Sequence, residues 1–145
     1  MSSEISNFLP YLLNQAAELV SRDFQPHYKN RYGMLRTEWR VLFHLGQHGQ
    51  MTATEICDQA ALHKTKVSRA VTALEQKRFL RRETMEQDRR SERLALTKAG
   101  RAAFDTLAKA ASAYDAKLET VMGDADIARM KQLLTSLIAE QTKRS

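Results

Sequence analysis

The sequence predicts a mainly α-helical fold with one short hairpin, and three observations lead to this class. Apolar residues recur at helical spacing over most of the 145-residue chain. Five glycines and two prolines leave few breaks, which favours long helices over a β-sandwich. Only the segment between Phe79 and Thr97 changes to the alternating pattern of strands. With 43% hydrophobic and 28% charged residues, the chain has the composition of one compact globular domain.

The first two helices are predicted from their apolar spacing and their breaks. The first runs from about Ser6 to Phe24 and ends at Pro26, and it is apolar on more than one side. Thr37 caps the second, which Gly46 and Gly49 close. The residues of the second helix that we expect to point inward are Trp39, Leu42, Phe43 and Leu45.

The middle of the chain predicts two more helices and the hairpin. Thr52 and Glu55 form a capping box at the start of a helix that stops near Leu62. After a short turn, a second helix covers 65–77, followed by strands at 80–84 and 93–97 around a polar tip at 85–91. The inward stripe of helix 65–77 has the full helical pattern and consists of Val67, Ala70, Val71 and Leu74.

Two long helices are predicted to end the chain. Thr97 caps the first, and Gly123–Asp124 separates it from the last. Both carry apolar stripes at alternating spacings of three and four residues. Together with the first helix, they supply more apolar surface than a small core can cover, so a partner chain would cover the rest.

Charge distribution and composition limit the classes of function that the chain could have. Nearly all of the +6 net charge falls in residues 63–93, which hold ten basic and five acidic side chains. Such a block is either an electrostatic footprint for nucleic acid or a solvated charged face. The chain shows no membrane span, secretory signal, phosphate loop or nucleophile motif. We therefore expect a cytoplasmic protein that is not an enzyme and needs no cofactor.

A helix, a short turn, a second helix and a hairpin with a basic tip form the layout of a winged helix-turn-helix. Short polar and basic residues on the outer face of the second helix suit the major groove of double-stranded DNA. In the hairpin, Arg89 and Arg90 are candidates for the minor groove, and Asp88 is placed to orient one of them, or only to stabilise the hairpin. The outward residues of the helix are Lys64, Lys66, Ser68, Arg69 and Thr72.

Five segments of the chain resemble the MarR family of bacterial transcription regulators. They are Leu35–Leu42, Thr52–Ile56, Lys64–Glu75, Asp88–Ser91 and Leu94–Gly100. The family usually has a glycine after the lysine that ends the recognition helix, whereas Arg78 follows Lys77 here. Arg78 is then expected to form a less permissive helix cap, or the helix to run longer.

The resemblance implies a homodimer with interleaved terminal helices and two winged helices that face a palindromic operator. It divides the chain into dimerisation residues 1–34, DNA-binding residues 35–100 and dimerisation residues 101–145. The recognition helix, including Thr65, would lie in the major groove and Arg90 in the minor groove. The expected function is a ligand-responsive repressor. The alternative from another class is a winged-helix module for protein interaction or RNA association.

The sequence gives weaker evidence for residues that sense a signal than for residues that bind DNA. Cys57 is expected to be a small buried residue rather than a redox switch. His44 and His48 are four residues apart and could share a helix face, but no third metal ligand is evident, so we predict no metal site. Many relatives bind aromatic or phenolic effectors between their dimerisation and DNA-binding parts. The candidates for such a pocket are His27, Tyr28 and Trp39.

Overall fold

A computed structural model describes residues 3–85 and 88–144, without the side chains of Ser3, Met85 and residues 88–91. The described chain divides into two compact units, 1–108 and 109–145. The predicted fold class, a mainly α-helical winged helix-turn-helix with long N- and C-terminal helices, is confirmed. The elements are, in order, α1 Ser3–Ser6, α2 Leu9–Tyr32, α3 Arg36–His48, β1 Met51–Thr52, α4 Ala53–Ala60, α5 Lys64–Gln76, β2 Leu80–Met85, β3 Asp88–Leu96, α6 Lys98–Met122 and α7 Asp124–Arg144.

Helix α2 does not end at Pro26, and the prediction of its end was wrong. It continues to Tyr32 and stops at Gly33, whose φ of 65° is left-handed. A proline inside a helix removes one hydrogen bond and costs about 3 kcal/mol. Phe24 and Tyr28 are buried on either side of Pro26, and their rings lie 5.7 and 6.0 Å from that of Trp39. Burying these aromatic rings compensates for the lost hydrogen bond.

Helix α3 begins and ends differently from the prediction. Its N-cap is Leu35, so Thr37 lies within the first turn and does not cap it. The helix continues through Gly46 and ends at His48. Glycine is needed at position 46 because the ring of Phe104 packs against the α3 backbone there, and a Cβ atom would overlap this ring. Leu42 and Leu45 point inward as predicted, whereas Phe43 is 38% exposed.

Helices α4 and α5 follow the predicted pattern closely. Thr52 Oγ1 accepts a hydrogen bond of 3.1 Å from the Glu55 N–H, and Glu55 Oε1 accepts one of 2.9 Å from the Thr52 N–H. The capping box is therefore confirmed, and these bonds lower the pKa of Glu55. The predicted inward stripe of α5 is buried throughout, at Val67, Ala70, Val71 and Leu74.

The hairpin belongs to a three-stranded antiparallel sheet of order β1-β3-β2. Strand β1 was not predicted, because a strand of two residues is too short to show the alternation of apolar and polar residues. Met51 pairs with Leu94 and Thr52 with Arg93, so the capping residue of α4 is also the end of a strand. The sheet therefore ties the start of α4 to the base of the hairpin.

The C-terminal helices begin as predicted. Thr97 Oγ1 accepts a hydrogen bond of 3.0 Å from the Gly100 N–H, which confirms Thr97 as the cap of α6. Gly123, with a φ of 99°, separates α6 from α7. Within residues 109–145, Lys131 Nζ lies 2.6 Å from Asp115 Oδ2, and this contact raises the pKa of Lys131.

Candidate nucleic-acid interface

The outer face of α5 is exposed at every position that the sequence predicted for DNA contact. The buried stripe on the opposite face fixes the rotation of the helix and leaves this surface in solvent. Among the residues that the structure describes, Lys64, Lys66 and Arg69 form no ion pair. The exposed residues, which we call the α5 outer face, are Lys64, Thr65, Lys66, Ser68, Arg69 and Thr72.

The N-terminus of α5 adds to this positive surface. His63 is the N-cap, and its Nδ1 accepts a hydrogen bond of 3.2 Å from the Thr65 N–H. Other N–H groups of the first turn have no partner within the helix, and the helix dipole is positive at this end. A phosphate group near Lys64 would therefore meet both a side-chain cation and backbone donors.

Two arginines of β2 in the segment 63–93 are already bound to carboxylates. Arg82 contacts Glu75 of α5 and Glu92 of β3, each at 3.1 Å. Burial lowers the pKa of Arg82, but these hydrogen bonds outweigh burial and the net effect raises it. Arg81 pairs with Glu83 at 2.8 Å. The arginines of β2 therefore connect the hairpin to itself and to α5, and the sequence did not distinguish them from the cations of the α5 outer face.

The candidate residues of the hairpin tip are only partly described. Asp88, Arg89 and Arg90 belong to the backbone of β3, and their side chains lie outside the described part of the structure. The register of β2 and β3 shifts between Thr84 and Met85, directly before the tip. The roles of these three residues remain predictions from the sequence.

A pocket of about 270 Å³ lies where α2 meets the start of α3. Of the three predicted effector-binding residues, Tyr28 lines it. His27 and Trp39 instead lie in a ring cluster around Phe24, with ring centroids 4.9 and 5.7 Å from the Phe24 ring. The residues that line the pocket are Glu18, Ser21, Arg22, Gln25, Tyr28 and Arg36.

The pocket is polar and carries more positive than negative charge. Arg36 NH1 bonds Glu18 Oε1 at 2.6 Å, and this bond lowers the pKa of Glu18. Burial raises the pKa of the Tyr28 hydroxyl above its ordinary value. Arg22 supplies a second guanidinium to the same lining. A phenolic or carboxylate compound would find donors and a cation there. The sequence did not single out these arginines, since nothing in it brings residues 22 and 36 together.

Among the described residues, no metal-binding cluster includes His44, His48 or Cys57. The described residues contain no group of three or more histidine, cysteine, aspartate or glutamate side chains that could hold a metal ion. The two histidine rings stack with centroids 5.8 Å apart, and His44 Nδ1 is buried without a hydrogen-bond partner. Burial and the neighbouring His48 and Arg40 lower the pKa of His44. Cys57 is half-buried rather than fully buried.

Across the helices that the structure describes, none is both long enough and apolar enough to span a membrane.

The family model described as MarR family matches residues 32–91, which include α3, α4, α5 and most of the hairpin. No curated protein matches the sequence. A MarR family transcriptional regulator from Silicibacter pomeroyi DSS-3 has a similar structure, with 29% identity and a TM-score of 0.81. This similarity covers 94% of this chain and 97% of that chain.

Two other solved structures share the fold at lower identity. Streptococcus pneumoniae FabT, solved in complex with DNA, is 21% identical with a TM-score of 0.72 over 100% of both chains. NadR in complex with 4-hydroxyphenylacetate is 24% identical with a TM-score of 0.74, over 86% of this chain and 88% of that chain. With the family match over residues 32–91, the motifs and the winged helix-turn-helix all in agreement, this chain is similar to the MarR family and has the fold of its transcriptional regulators.

Proposed function

We propose that the protein is a homodimeric regulator of transcription that reads a palindromic operator in double-stranded DNA. The α5 outer face carries this proposal, because it combines three cations that pair with no carboxylate among the described residues with short polar residues on one exposed helix surface. Lysine and arginine side chains neutralise phosphates, and short side chains allow a helix to approach the base edges of the major groove. The neighbour FabT, which was solved with DNA, supports the same role for this fold.

Within this proposal, the residues divide by task. Lys64, Lys66 and Arg69 contact phosphate or guanine acceptors, and Ser68 and Thr72 approach base edges. Thr65 lies in the first turn of α5, close to the phosphates. In the hairpin, Arg89 and Arg90 enter the minor groove, where the negative potential is strong, and Asp88 orients one of the two.

The dimer is proposed from exposed apolar side chains at both ends of the chain. In the unit 1–108, α1, α2 and the residues before α2 expose seven large apolar side chains, and the unit 109–145 exposes five more. Large apolar side chains exposed in such number are rare on a monomeric protein and typical of a subunit interface. A second copy would cover it, and two recognition helices would then match a two-fold symmetric operator. The residues are Ile5, Phe8, Leu9, Tyr11, Leu12, Leu19 and Val20 in the first unit, and Val121, Met122, Met130, Leu133 and Ile138 in the second.

A small aromatic or phenolic compound is the proposed effector, and its binding would release the DNA from a cytoplasmic repressor. The pocket beside Tyr28 supports this part of the proposal, because Arg22 and Arg36 could bind a carboxylate while the tyrosine contacts a phenol. NadR, solved with 4-hydroxyphenylacetate, is a neighbour of the same fold that holds such a molecule.

Selection of bound fragments from genomic DNA tests the function directly. The best-bound duplex is then titrated against a scrambled duplex of equal length at several salt concentrations. The proposal predicts strong preference for the selected duplex and a fall of log affinity with log salt by about 0.9 for each phosphate contacted. Equal binding of both duplexes would refute sequence-specific regulation. Preference for RNA, or binding that needs a protein partner, would favour the alternative module instead.

A further inference from the structure

Glu38 is an unusual residue of the fold, because it is a charged side chain in the core. Its exposure is 4%, and among the described residues it is the one buried polar or charged side chain. Lys77 Nζ donates a hydrogen bond of 3.0 Å to Glu38 Oε1, while the Lys77 side chain keeps 30% of its surface exposed. A carboxylate buried to this extent needs such a partner, because removing one member leaves an uncompensated charge in the core.

The ion pair connects two helices at the point where α5 ends. Lys77 directly follows the last residue of α5, and its N–H still bonds the Ala73 carbonyl at 3.0 Å. Glu38 lies in the first turn of α3. The Lys77 side chain also passes beside Gly33, since its Cε lies 4.0 Å from where a Cβ of Gly33 would be. The end of α2, the start of α3 and the end of α5 therefore meet at this pair.

The chain beyond Lys77 continues this junction into the hairpin. Arg78 adopts a left-handed φ of 65°, and the Phe79 N–H returns to the Leu74 carbonyl at 2.9 Å. The ring of Phe79 then meets the ring of Tyr32 edge-on, with centroids 5.7 Å apart. A shift of Lys77 would thus move both the C-terminal end of α5 and the start of β2.

We infer that Glu38 is a positioning residue for DNA reading, which acts through Lys77 to fix the C-terminal end of α5 against α3. The inference rests on the proposed function and deepens it. Lys77 is one of the ten basic residues between positions 63 and 93, but its ammonium faces a carboxylate in the core. The role of Lys77 is therefore to set the orientation of the α5 outer face, whereas Lys64, Lys66 and Arg69 contact phosphates.

Two single variants and their combination separate positioning from direct contact. Glu38→Gln keeps the size of the side chain and removes its charge, and Lys77→Met removes the cation while keeping most of the aliphatic stem. Each is titrated with the duplex selected from genomic DNA and with its scrambled version, well below the unfolding midpoint of every variant. Thermal unfolding followed by circular dichroism establishes those midpoints.

Positioning predicts a loss that is specific to the selected duplex and is shared by the two residues. Each single variant lowers affinity for that duplex by about tenfold, and the double variant is no worse than either single, because the two residues act as one unit. Affinity for the scrambled duplex changes by less than about twofold, and the salt slope stays constant because no phosphate contact is lost. Losses that add in the double variant, or that are equal on both duplexes, would overturn the inference.

A direct phosphate contact by Lys77 predicts the opposite sign at Glu38. Glu38→Gln would then free the lysine and raise affinity, and Lys77→Met would reduce the salt slope by about 0.9. Should the charge-removing variants fail to fold, Glu38→Asp and Lys77→Arg keep both charges. Glu38→Asp shortens the carboxylate side chain and should lower the affinity for the selected duplex. Lys77→Arg lengthens its partner, and adding it to Glu38→Asp in the same chain should restore that affinity. If the wild-type protein itself does not discriminate between the duplexes, the proposed function fails, whereas failure of the inference alone leaves wild-type discrimination intact.

Discussion

The hydroxyl of Thr97 donates a hydrogen bond of 2.6 Å to the carbonyl oxygen of Arg78, and Thr97 Oγ1 also accepts the hydrogen bond from the Gly100 N–H that caps α6. Thr97 thus joins the chain just after α5 to the start of α6 across the base of the hairpin. Arg78 reaches this position with a left-handed φ of 65°, which side chains with a Cβ rarely adopt. An arginine therefore holds, just after α5, a conformation that glycine adopts at little cost.

Replacing Arg78 with glycine should stabilise the protein. The left-handed conformation costs a residue with a Cβ roughly 1–2 kcal/mol, and glycine avoids this cost. Glycine also makes the unfolded chain more flexible, which offsets part of the gain. We expect a net gain of about 1 kcal/mol in the free energy of unfolding, measured by urea denaturation. Arg78→Ala is the matched control, since it removes the side chain but keeps the Cβ and should gain little. A destabilised Arg78→Gly would show that the arginine side chain makes a contact worth more than the strain.

Gly100 should tolerate no side chain at all. A Cβ at this position would overlap the carbonyl oxygen of Phe79, which is backbone and cannot rotate away. The Thr97 N–H is bonded to that same carbonyl at 3.1 Å, so the hairpin base and α6 would be forced apart. We expect Gly100→Ala to cost at least about 2 kcal/mol of stability. Lys98→Ala, an exposed substitution in the same turn, should stay within about 0.5 kcal/mol; similar midpoints for the two variants would mean that the contact relaxes freely.

Lys66 and Ser68 should separate phosphate binding from base reading. Lys66→Ala is expected to weaken binding of selected and scrambled duplexes alike and to reduce the salt slope by about 0.9. Ser68→Ala should leave the slope unchanged and alter the ratio of the two affinities. Fluorescence anisotropy titrations at several salt concentrations measure both quantities. If Ser68→Ala changes the slope and Lys66→Ala changes only the ratio, the two tasks are assigned the wrong way round.

Stability should fall at acidic pH through His44. Burial, His48 and Arg40 lower its pKa in the folded chain, so the unfolded chain binds this proton more readily. Stability from this group is complete above the ordinary imidazole pKa of about 6.5 and declines as the pH falls below it. We expect His44→Leu to flatten this part of the curve of unfolding midpoint against pH, and His48→Gln to flatten it partly by removing one of the neighbouring charges. A curve identical to that of the wild type would exclude His44 as the source.

The local features of the fold were predictable wherever short-range chemistry decides them. The capping box at Thr52 and Glu55, the buried stripe of α5 and the Thr97 cap each depend on residues within one or two helical turns. The predictions failed where distant residues decide. Packing of Phe24 and Tyr28 on Trp39 carries α2 through Pro26, and Phe104 makes Gly46 an interior residue of α3.

The candidate interface divides in the same way. The exposed residues of α5 follow from its period, so they could be read from the sequence. The pairing of Glu38 with Lys77 across 39 positions could not, and neither could the approach of Arg22 to Arg36 at the pocket. The count of charges gave Arg82 and Arg69 equal weight, although Arg82 is bound to two carboxylates and Arg69 is exposed and forms no ion pair with any residue that the structure describes.

The central claim is that the α5 outer face lies against the bases of the major groove, and disulfide crosslinking tests it most directly. In a Cys57→Ala background, Ser68→Cys is mixed with the selected duplex carrying a thiol tether on a major-groove base edge. The account predicts an efficient crosslink from position 68, and none from Asp105→Cys, an exposed position on α6 that lies outside the proposed interface. A duplex that binds with full affinity but crosslinks only through position 105 would contradict it.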